Sequence, residues 1–242
     1  MTTPAPSIRI GIFGHDINSP QQRHGCCLWN AGYASCVEAC EAVPVPIIKE
    51  RHQSWEQSLN DLHGVLIVGH DQGQRLSVTE TESLCVWARE NLFPILAVDH
   101  GLHLLNSSFG GTTFQDVCRE MPDALQHRHP PEPGLRHAIN VEDGTRLAKI
   151  YGEGEIIVNS EHRRAVQRVA RVFKPSALAL DGIVEAIEAK DEDWFALGVQ
   201  WHPASPSASG LDIQVFRGLI QAAEARFAMS SAASDGKRVV AA

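Results

Sequence analysis

The residues best placed to do chemistry lie in the stretch 94–106. Pro94-Ile-Leu-Ala-Val98 is apolar or small throughout and predicts a buried parallel strand. Asp99-His100-Gly101 predicts a sharp turn, and a helix is expected from Leu102. A strand, a turn and a helix in this order form a nucleophile elbow, which raises its tip residue above the sheet edge and beside a helix N-terminus. The tip residue is Asp99, whose carboxylate can form an ester or bind a metal ion.

The composition of the chain narrows the classes of partner. Its 242 residues can form one α/β domain, and 43% hydrophobic with 21% charged residues is ordinary for a globular protein. A net charge of −8 leaves no basic stripe to neutralise phosphates. We therefore expect neither a nucleic acid nor a membrane as a partner.

The cysteines and the N-terminal residues predict a cytoplasmic location. Six cysteines are too few for a disulfide scaffold of this size, and none forms a Cys-x-x-Cys pair. The first seven residues show no charged start followed by an apolar run, and no run approaches the ~20 residues that span a bilayer. We expect a cytoplasmic protein with reduced thiols.

The order of predicted elements indicates the fold class. The first half alternates strands with helices, with strands at 8–13, 43–48, 64–68 and 94–98 and helices at 28–41, 55–62 and 79–91. The second half is mostly strands, at 137–141, 147–150, 155–158, 172–180, 183–189 and 194–200, with a short helix at 165–169 and an amphipathic one at 213–229. This pattern predicts an α/β fold: a flavodoxin-like, mostly parallel sheet flanked by helices, with an appended β-rich section. We expect a single domain over residues 1–229 and a flexible tail over 230–242.

Several motifs follow one another in a recognisable order. Besides the elbow and Gly110-Gly111-Thr112, they are His137-Ala-Ile, Gly144-Thr-Arg-Leu147-Ala, Val158-Asn-Ser-Glu-His162, Leu180-Asp-Gly-Ile-Val-Glu-Ala-Ile-Glu188 and Gly198-Val-Gln-Trp-His-Pro203. Together they resemble the γ-glutamyl-γ-aminobutyrate hydrolase branch of the class I glutamine amidotransferases. The resemblance covers roughly residues 8 to 226, and it implies a class I glutamine amidotransferase-like fold.

In that family the resemblance implies a thiol mechanism. A cysteine thiolate at the elbow attacks the γ-carbonyl of a glutamyl amide, and a histidine in Trp-His-Pro-Glu carries the proton. The glutamate two positions after that histidine orients it. Backbone N–H groups from a Gly-Gly-x-Asp loop and from the residue after the cysteine stabilise the oxyanion.

This chain departs from the pattern at two of the three catalytic positions. Asp99 stands where the cysteine is expected, His202 is kept, and Ala204 replaces the glutamate. The oxyanion loop reads Gly69-His70-Asp71. A carboxylate is a poor nucleophile toward an amide, so we do not expect γ-glutamyl hydrolysis by the family route.

The resemblance also maps a set of pocket positions onto the chain. The predicted catalytic positions are Asp99 and His202, and the predicted substrate-binding residues are Gly69, His70, Asp71, His100, His103, Asn159, Ser160 and His162. The expected ligand is a small molecule, such as a glutamyl or amino-acid-like compound. A homodimer is left open, and no cofactor is expected.

Three interpretations remain open. The first is a lapsed, non-catalytic relative that binds a small molecule or a protein partner. The second is a divergent enzyme in the same cleft, in which Asp99, His103 and His202 bind a divalent transition metal. In the third, Asp99 forms an ester by displacement at an alkyl carbon, and His202 activates the water that cleaves it.

Overall fold

The computed structural model describes residues 7–17, 26–28, 31–49, 52–69, 76–128 and 135–240. The strands of this part of the chain are β1 (Arg9–Phe13), β2 (His15–Ile17), β3 (Cys26–Leu28), β4 (Val43–Pro46), β5 (Gly64–Val68), β6 (Ile95–Val98), β7 (Thr112–Phe114), β8 (Arg136–Val141), β9 (Gly154–Asn159), β10 (Ala165–Arg168), β11 (Phe173–Ala179), β12 (Val184–Ala189) and β13 (Ala196–Val199). The helices are α1 (Ala31–Ala39), α2 (Trp55–Ser58), α3 (Val78–Glu90), α4 (His100–Ser107), α5 (Val117–Glu120), α6 (Arg146–Tyr151) and α7 (Ile213–Val240). None of these helices is both long enough and apolar enough to cross a bilayer.

One large sheet organises the molecule, with strands in the order β4-β1-β5-β6-β13-β12-β11-β8-β9. From β4 to β13 neighbouring strands are parallel, and their order is the 2-1-3-4-5 arrangement of flavodoxin-like folds. From β13 to β9 the neighbours are antiparallel. The predicted α/β class is therefore confirmed, and the β-rich section continues the same sheet.

Helices cover both faces of the parallel half, as buried strands require. Alternate residues of β5 point to opposite sides: Leu66 joins a cluster with α1 and α7, while Ile67 joins a cluster with α3 and α4. The four residues of β6 are all buried. The strand that ends at Asp99 thus lies in the centre of the core.

Two local predictions were wrong because tertiary contacts decide the structure there. Residues 147–150 were predicted as a strand but form helix α6. The Thr145 side chain caps this helix at Ala148 N–H, and the Glu188 carboxylate accepts hydrogen bonds from the first backbone N–H groups. Residues 165–169 were predicted as a helix, but β10 forms there by antiparallel pairing with β7 and β12.

The boundary predicted at residue 229 does not coincide with the end of an element. Helix α7 continues to Val240, through most of the predicted tail. The run Ser230-Ser-Ala-Ala-Ser234 has no proline or glycine to stop a helix, so the preceding turns can propagate through it.

Candidate active site at the elbow

Asp99 occupies the tip of a sharp turn between β6 and α4. Its backbone lies at φ 50° and ψ −113°, in a region that residues with a side chain seldom adopt. Such a conformation costs about 1–3 kcal/mol and persists only where surrounding structure fixes it. Here the Asp99 N–H donates to the Val199 carbonyl at 2.9 Å, which ties the tip to β13. This is the geometry of a nucleophile elbow.

Two glycines allow α4 to begin directly against the end of β5. A Cβ at Gly101 would lie 2.6 Å from the carbonyl oxygen of Ile67, and a Cβ at Gly69 would lie 2.6 Å from the Cβ of His100. Neither position can hold a larger residue without a backbone shift. The Gly101 of the elbow motif is thus explained by close packing of helix and strand.

The Asp99 carboxylate is fully buried and held on both oxygens. Gln200 Nε2 donates to Oδ1 at 2.8 Å, and His202 Nε2 lies 3.4 Å from Oδ2. Burial alone would raise the pKa of this carboxyl, but the interaction with His202 and the nearby His103 and His162 lower it to about 2. The elbow therefore presents a fixed, ionised carboxylate at neutral pH.

His202 is oriented by groups from two distant elements. Its Nδ1 lies 3.2 Å from the Tyr33 hydroxyl, on α1. The Asn159 side chain exchanges two 2.9 Å hydrogen bonds with the His202 backbone. Burial, and then the charge of Asp99, raise the pKa of Tyr33, so its hydroxyl stays protonated and can donate to the imidazole. In this chain Tyr33 contacts the nitrogen that the family's glutamate is expected to orient.

Comparison with known proteins identifies the family of the chain. Residues 79–204 match the peptidase C26 family. A glutamine amidotransferase-like protein of Rickettsia prowazekii is 31% identical over 79% of this chain and 88% of its own length. The chain belongs to the peptidase C26 family. The predicted resemblance to class I glutamine amidotransferases is confirmed.

Two further proteins are similar to this peptidase C26 member, one in sequence and one in fold. The γ-glutamyl-γ-aminobutyrate hydrolase of Escherichia coli is 34% identical over 57% of this chain, which spans only 56% of that enzyme. The crystal structure of a protein assigned as a GMP synthase subunit, from Thermoplasma acidophilum, superposes with a TM-score of 0.66, covering 94% of this chain and 99% of that one. At 15% identity, this second likeness supports the fold alone.

The structure brings part of the predicted pocket to the elbow of this peptidase C26 member. Gly69 lies against His100, and His100 and His103 are buried on α4 with ring centroids 6.4 Å apart. Asn159 holds the His202 backbone. The predicted residues His70 and Asp71 lie outside the described residues. All of these binding roles stay predictions.

Ser160 and His162 contact a second group of side chains, and His162 is also close enough to Asp99 to lower the pKa of that carboxyl. Ser160 donates its hydroxyl to the carbonyl of His127 at 2.7 Å, and His162 Nε2 lies 3.2 Å from Glu185 Oε1. Among the described residues, the side chains grouped closely enough to hold a metal ion are His127, His137, His162 and Glu185. That group differs from the predicted metal ligands Asp99, His103 and His202, whose metal binding remains a prediction.

Sequence reasoning missed two residues of the elbow site. Gln200 directly precedes Trp201-His202 in a quoted motif, so its position in the chain was a usable signal. Tyr33 gave no signal, because it comes from the first helix and meets His202 only through the packing of α1 on the sheet. His127 was missed as well, because it belongs to none of the quoted motifs.

Proposed function

We propose that this peptidase C26 member is a non-catalytic relative of the γ-glutamyl hydrolases, which binds a small amino-acid-like molecule at the elbow. The observation that carries the proposal is the state of Asp99. It holds the strained tip position, is ionised and is fixed by Gln200 and His202. The family geometry is therefore kept around a group that attacks amides poorly. A cytoplasmic location and an open choice between monomer and homodimer are part of the proposal.

The described thiols give no support to a substitute nucleophile. Cys85 is buried on α3, and burial raises the pKa of its thiol to about 12. Burial likewise raises the pKa of Cys36 and Cys40 on α1. Cys118 is exposed on α5. A thiol needs a lowered pKa to act as a nucleophile near neutral pH, so Cys36, Cys40 and Cys85 favour a binding role for the cleft.

The charge of the elbow indicates the chemistry of the ligand. Asp99 is an anion, and Gln200, which holds its other oxygen, is neutral. A negative group in a low-dielectric site attracts a cation and repels a second carboxylate. We therefore propose a ligand with an ammonium group near its recognised end, as in an amino acid or a γ-glutamyl amine.

Isothermal titration calorimetry tests the proposal directly. The probes are glutamine, γ-glutamyl-γ-aminobutyrate and the N-acetyl form of each, which lacks the ammonium group. We expect binding of a free amine compound, loss of that binding in the acetylated form and at least tenfold weaker binding in Asp99→Asn. No product should appear during long incubation of wild-type protein with either compound.

Two results would contradict this function. Release of ammonia or glutamate by wild-type protein, abolished by Asp99→Asn, would show catalysis at the elbow. Equal affinity of wild type and Asp99→Asn for every probe would show that the carboxylate does not recognise the ligand. The exposed His52→Ala variant is a matched control, because that side chain lies in a turn before α2.

A divergent enzyme that uses Asp99 and His202, with or without a metal ion, is the second candidate. The 3.4 Å contact between His202 Nε2 and Asp99 Oδ2 favours it, because the imidazole could activate water beside an ester on that oxygen. In such a reaction Asp99 displaces a leaving group from an alkyl carbon, and water then releases the alcohol and restores the carboxylate. Turnover of an alkyl halide in H₂¹⁸O, followed by mass spectrometry of the Asp99 peptide, checks for the incorporated oxygen. An unlabelled peptide after turnover would exclude this route.

A further inference from the structure

Three histidines and one glutamate converge in the antiparallel half of the sheet. His127 follows α5, His137 lies on β8, His162 follows β9, and Glu185 lies on β12. One ligand atom from each lies within 4.8 Å of the other three. His127 Nδ1, His137 Nε2 and His162 Nε2 lie 3.3, 3.4 and 3.2 Å from the same oxygen, Oε1 of Glu185. We call these four residues the histidine cluster.

The opposite nitrogen of each imidazole is already engaged. His162 Nδ1 lies 2.8 Å from the Arg164 carbonyl oxygen, and His137 Nδ1 lies 3.1 Å from the Ala138 carbonyl oxygen. A carbonyl oxygen can only accept, so both Nδ1 atoms carry the proton. In its neutral form, each ring then directs an Nε2 lone pair into the cluster.

His127 follows the same rule with the other nitrogen. Its Nε2 lies 2.9 Å from Oδ2 of Asp181, a carboxylate that also accepts backbone hydrogen bonds from Leu125 and Ile183. An ionised carboxylate accepts, so His127 Nε2 carries the proton, and in the neutral ring Nδ1 directs its lone pair inward. Outer hydrogen bonds of this kind fix the tautomer of metal-binding histidines in proteins.

The inward atoms are left without hydrogen-bonding partners. His127 Nδ1, His137 Nε2, His162 Nε2 and both Glu185 oxygens form no hydrogen bond with the described part of the chain. Glu185 is fully buried, and the side chains of His127 and His137 are 1% and 8% exposed. Three lone pairs facing a buried carboxylate repel one another unless a cation lies between them. Three protonated imidazoles in the same volume would repel one another as well.

We propose that the histidine cluster binds one divalent transition-metal ion, with Zn²⁺ as the preferred ion. Neutral imidazole nitrogens and a carboxylate oxygen are standard zinc ligands. Zinc–ligand bonds of about 2.0–2.1 Å in a tetrahedron place neighbouring ligand atoms about 3.3 Å apart. The three nitrogen-to-oxygen distances of 3.2 to 3.4 Å match that edge, and a bound ion would draw together the nitrogens, which lie within 4.8 Å of one another.

The site is structural in character, since four protein ligands complete a tetrahedron. It joins four separate segments of chain near Gln200, a residue that holds Asp99. The Glu185 carbonyl accepts the Gln200 N–H at 2.8 Å, and the Gln200 side chain holds Asp99. A metal at the histidine cluster would therefore brace the strand that presents Gln200. The inference does not depend on the proposed ligand at the elbow.

Elemental analysis of tag-free protein is the first test. Wild-type protein, purified without chelator, should contain one equivalent of zinc per chain. His137→Ala and Glu185→Gln should each lower the zinc affinity at least a hundredfold, whereas the exposed control His52→Ala should leave it unchanged. Asp99→Asn should also retain the full equivalent, which separates the cluster from a metal site at the elbow.

Replacement of zinc by cobalt tests the site where a variant does not fold. Wild-type protein stripped with a chelator and titrated with Co²⁺ should show the intense visible absorption of a tetrahedral site, saturating at one equivalent and lost on addition of Zn²⁺. Another first-row ion at one equivalent, lost in the same variants, supports the site and overturns the preference for zinc. Less than one-tenth equivalent of any transition metal together with no cobalt spectrum overturns the proposal. Metal lost in Asp99→Asn but kept in His137→Ala overturns it as well.

Discussion

The elbow and the histidine cluster are built from the same two groups, a buried carboxylate and imidazoles, but they differ in how those groups are satisfied. At the elbow, Asp99 has Gln200 on one oxygen and His202 on the other. In the histidine cluster, three imidazole nitrogens face Glu185, and the opposite nitrogen of each ring is the one that donates a hydrogen bond. A carboxylate that accepts a hydrogen bond acts as a fixed charge. A carboxylate without one, faced by convergent lone pairs, is a favourable site for a cation.

The elbow also shows how backbone architecture can be considered apart from side-chain chemistry. The elbow has a strained turn and close glycines, and it carries Asp99 and Ala204 at positions where the resemblance implies a cysteine and a glutamate. Backbone geometry of that kind is fixed by the close packing of α4 against the end of β5 and by the hydrogen bond from the Asp99 N–H to the Val199 carbonyl. The fold therefore gives little information on whether the tip reacts.

Removal of metal from the histidine cluster should produce the largest effect, a loss of stability of the folded protein. If zinc is bound, a free concentration about 1,000 times its dissociation constant stabilises the folded protein by about 4 kcal/mol. Chelated wild-type protein should therefore unfold at a lower urea concentration than zinc-loaded protein, and its free energy of unfolding should be lower by that amount. Zinc should not shift the urea transition of Glu185→Gln. Urea titrations followed by circular dichroism measure both. Equal midpoints for chelated and loaded wild type would remove the contrast between the two regions.

Restoring the family residues at the elbow should produce the next largest effect. Asp99→Cys alone should hydrolyse a γ-glutamyl anilide barely above background, because Ala204 supplies no carboxylate to His202. Asp99→Cys with Ala204→Glu should exceed it by on the order of 10²-fold, since the orienting carboxylate of a triad is worth that much or more. The matched control is Asp99→Cys with Ala204→Gln. Equal rates for the Glu and Gln versions would show that Tyr33 already orients His202 sufficiently.

The pH dependence of the free energy of unfolding should reveal the contribution of the ionised Asp99 at the elbow. The pKa of Asp99 falls from 3.8 to about 2 on folding, so the ionised carboxylate stabilises the fold above about pH 4, and that contribution is lost as the pH falls through 2. The full difference corresponds to about 2 kcal/mol. The stability advantage of wild type over Asp99→Asn should shrink by about 1 kcal/mol between pH 6 and pH 3. An advantage that grows on acidification would reverse the assigned direction of the pKa shift.

The sequence predicted the elbow well because its signals are local. An apolar strand followed by Asp99-His100-Gly101 requires no knowledge of distant contacts, and the mostly parallel sheet followed from the alternation of strands and helices. The cluster could not be assembled in this way. His137, His162 and Glu185 were all visible in quoted motifs, but only the antiparallel pairing of β8, β9, β11 and β12 brings them together. Helix α6 was missed for a similar reason, since Glu188 caps it from a strand 41 residues away from Leu147.

Tyr33→Phe should give the smallest effect and is the finest test of the elbow. The variant keeps the ring, which packs edge-on against Phe216 with centroids 6.2 Å apart, and removes only the hydroxyl that contacts His202 Nδ1. A buried nitrogen that loses its partner costs about 1 kcal/mol of stability. The free energy of unfolding should fall by that amount, and the imidazole resonances of His202 should shift in NMR spectra while those of His137 and His162 stay in place. Tyr33 lies on α1, whereas the histidine cluster lies beyond β13 in the order of strands. A matching shift at the cluster histidines would therefore mean that the two regions are coupled. The fixed charge and the metal site could then not be treated as separate features of the fold.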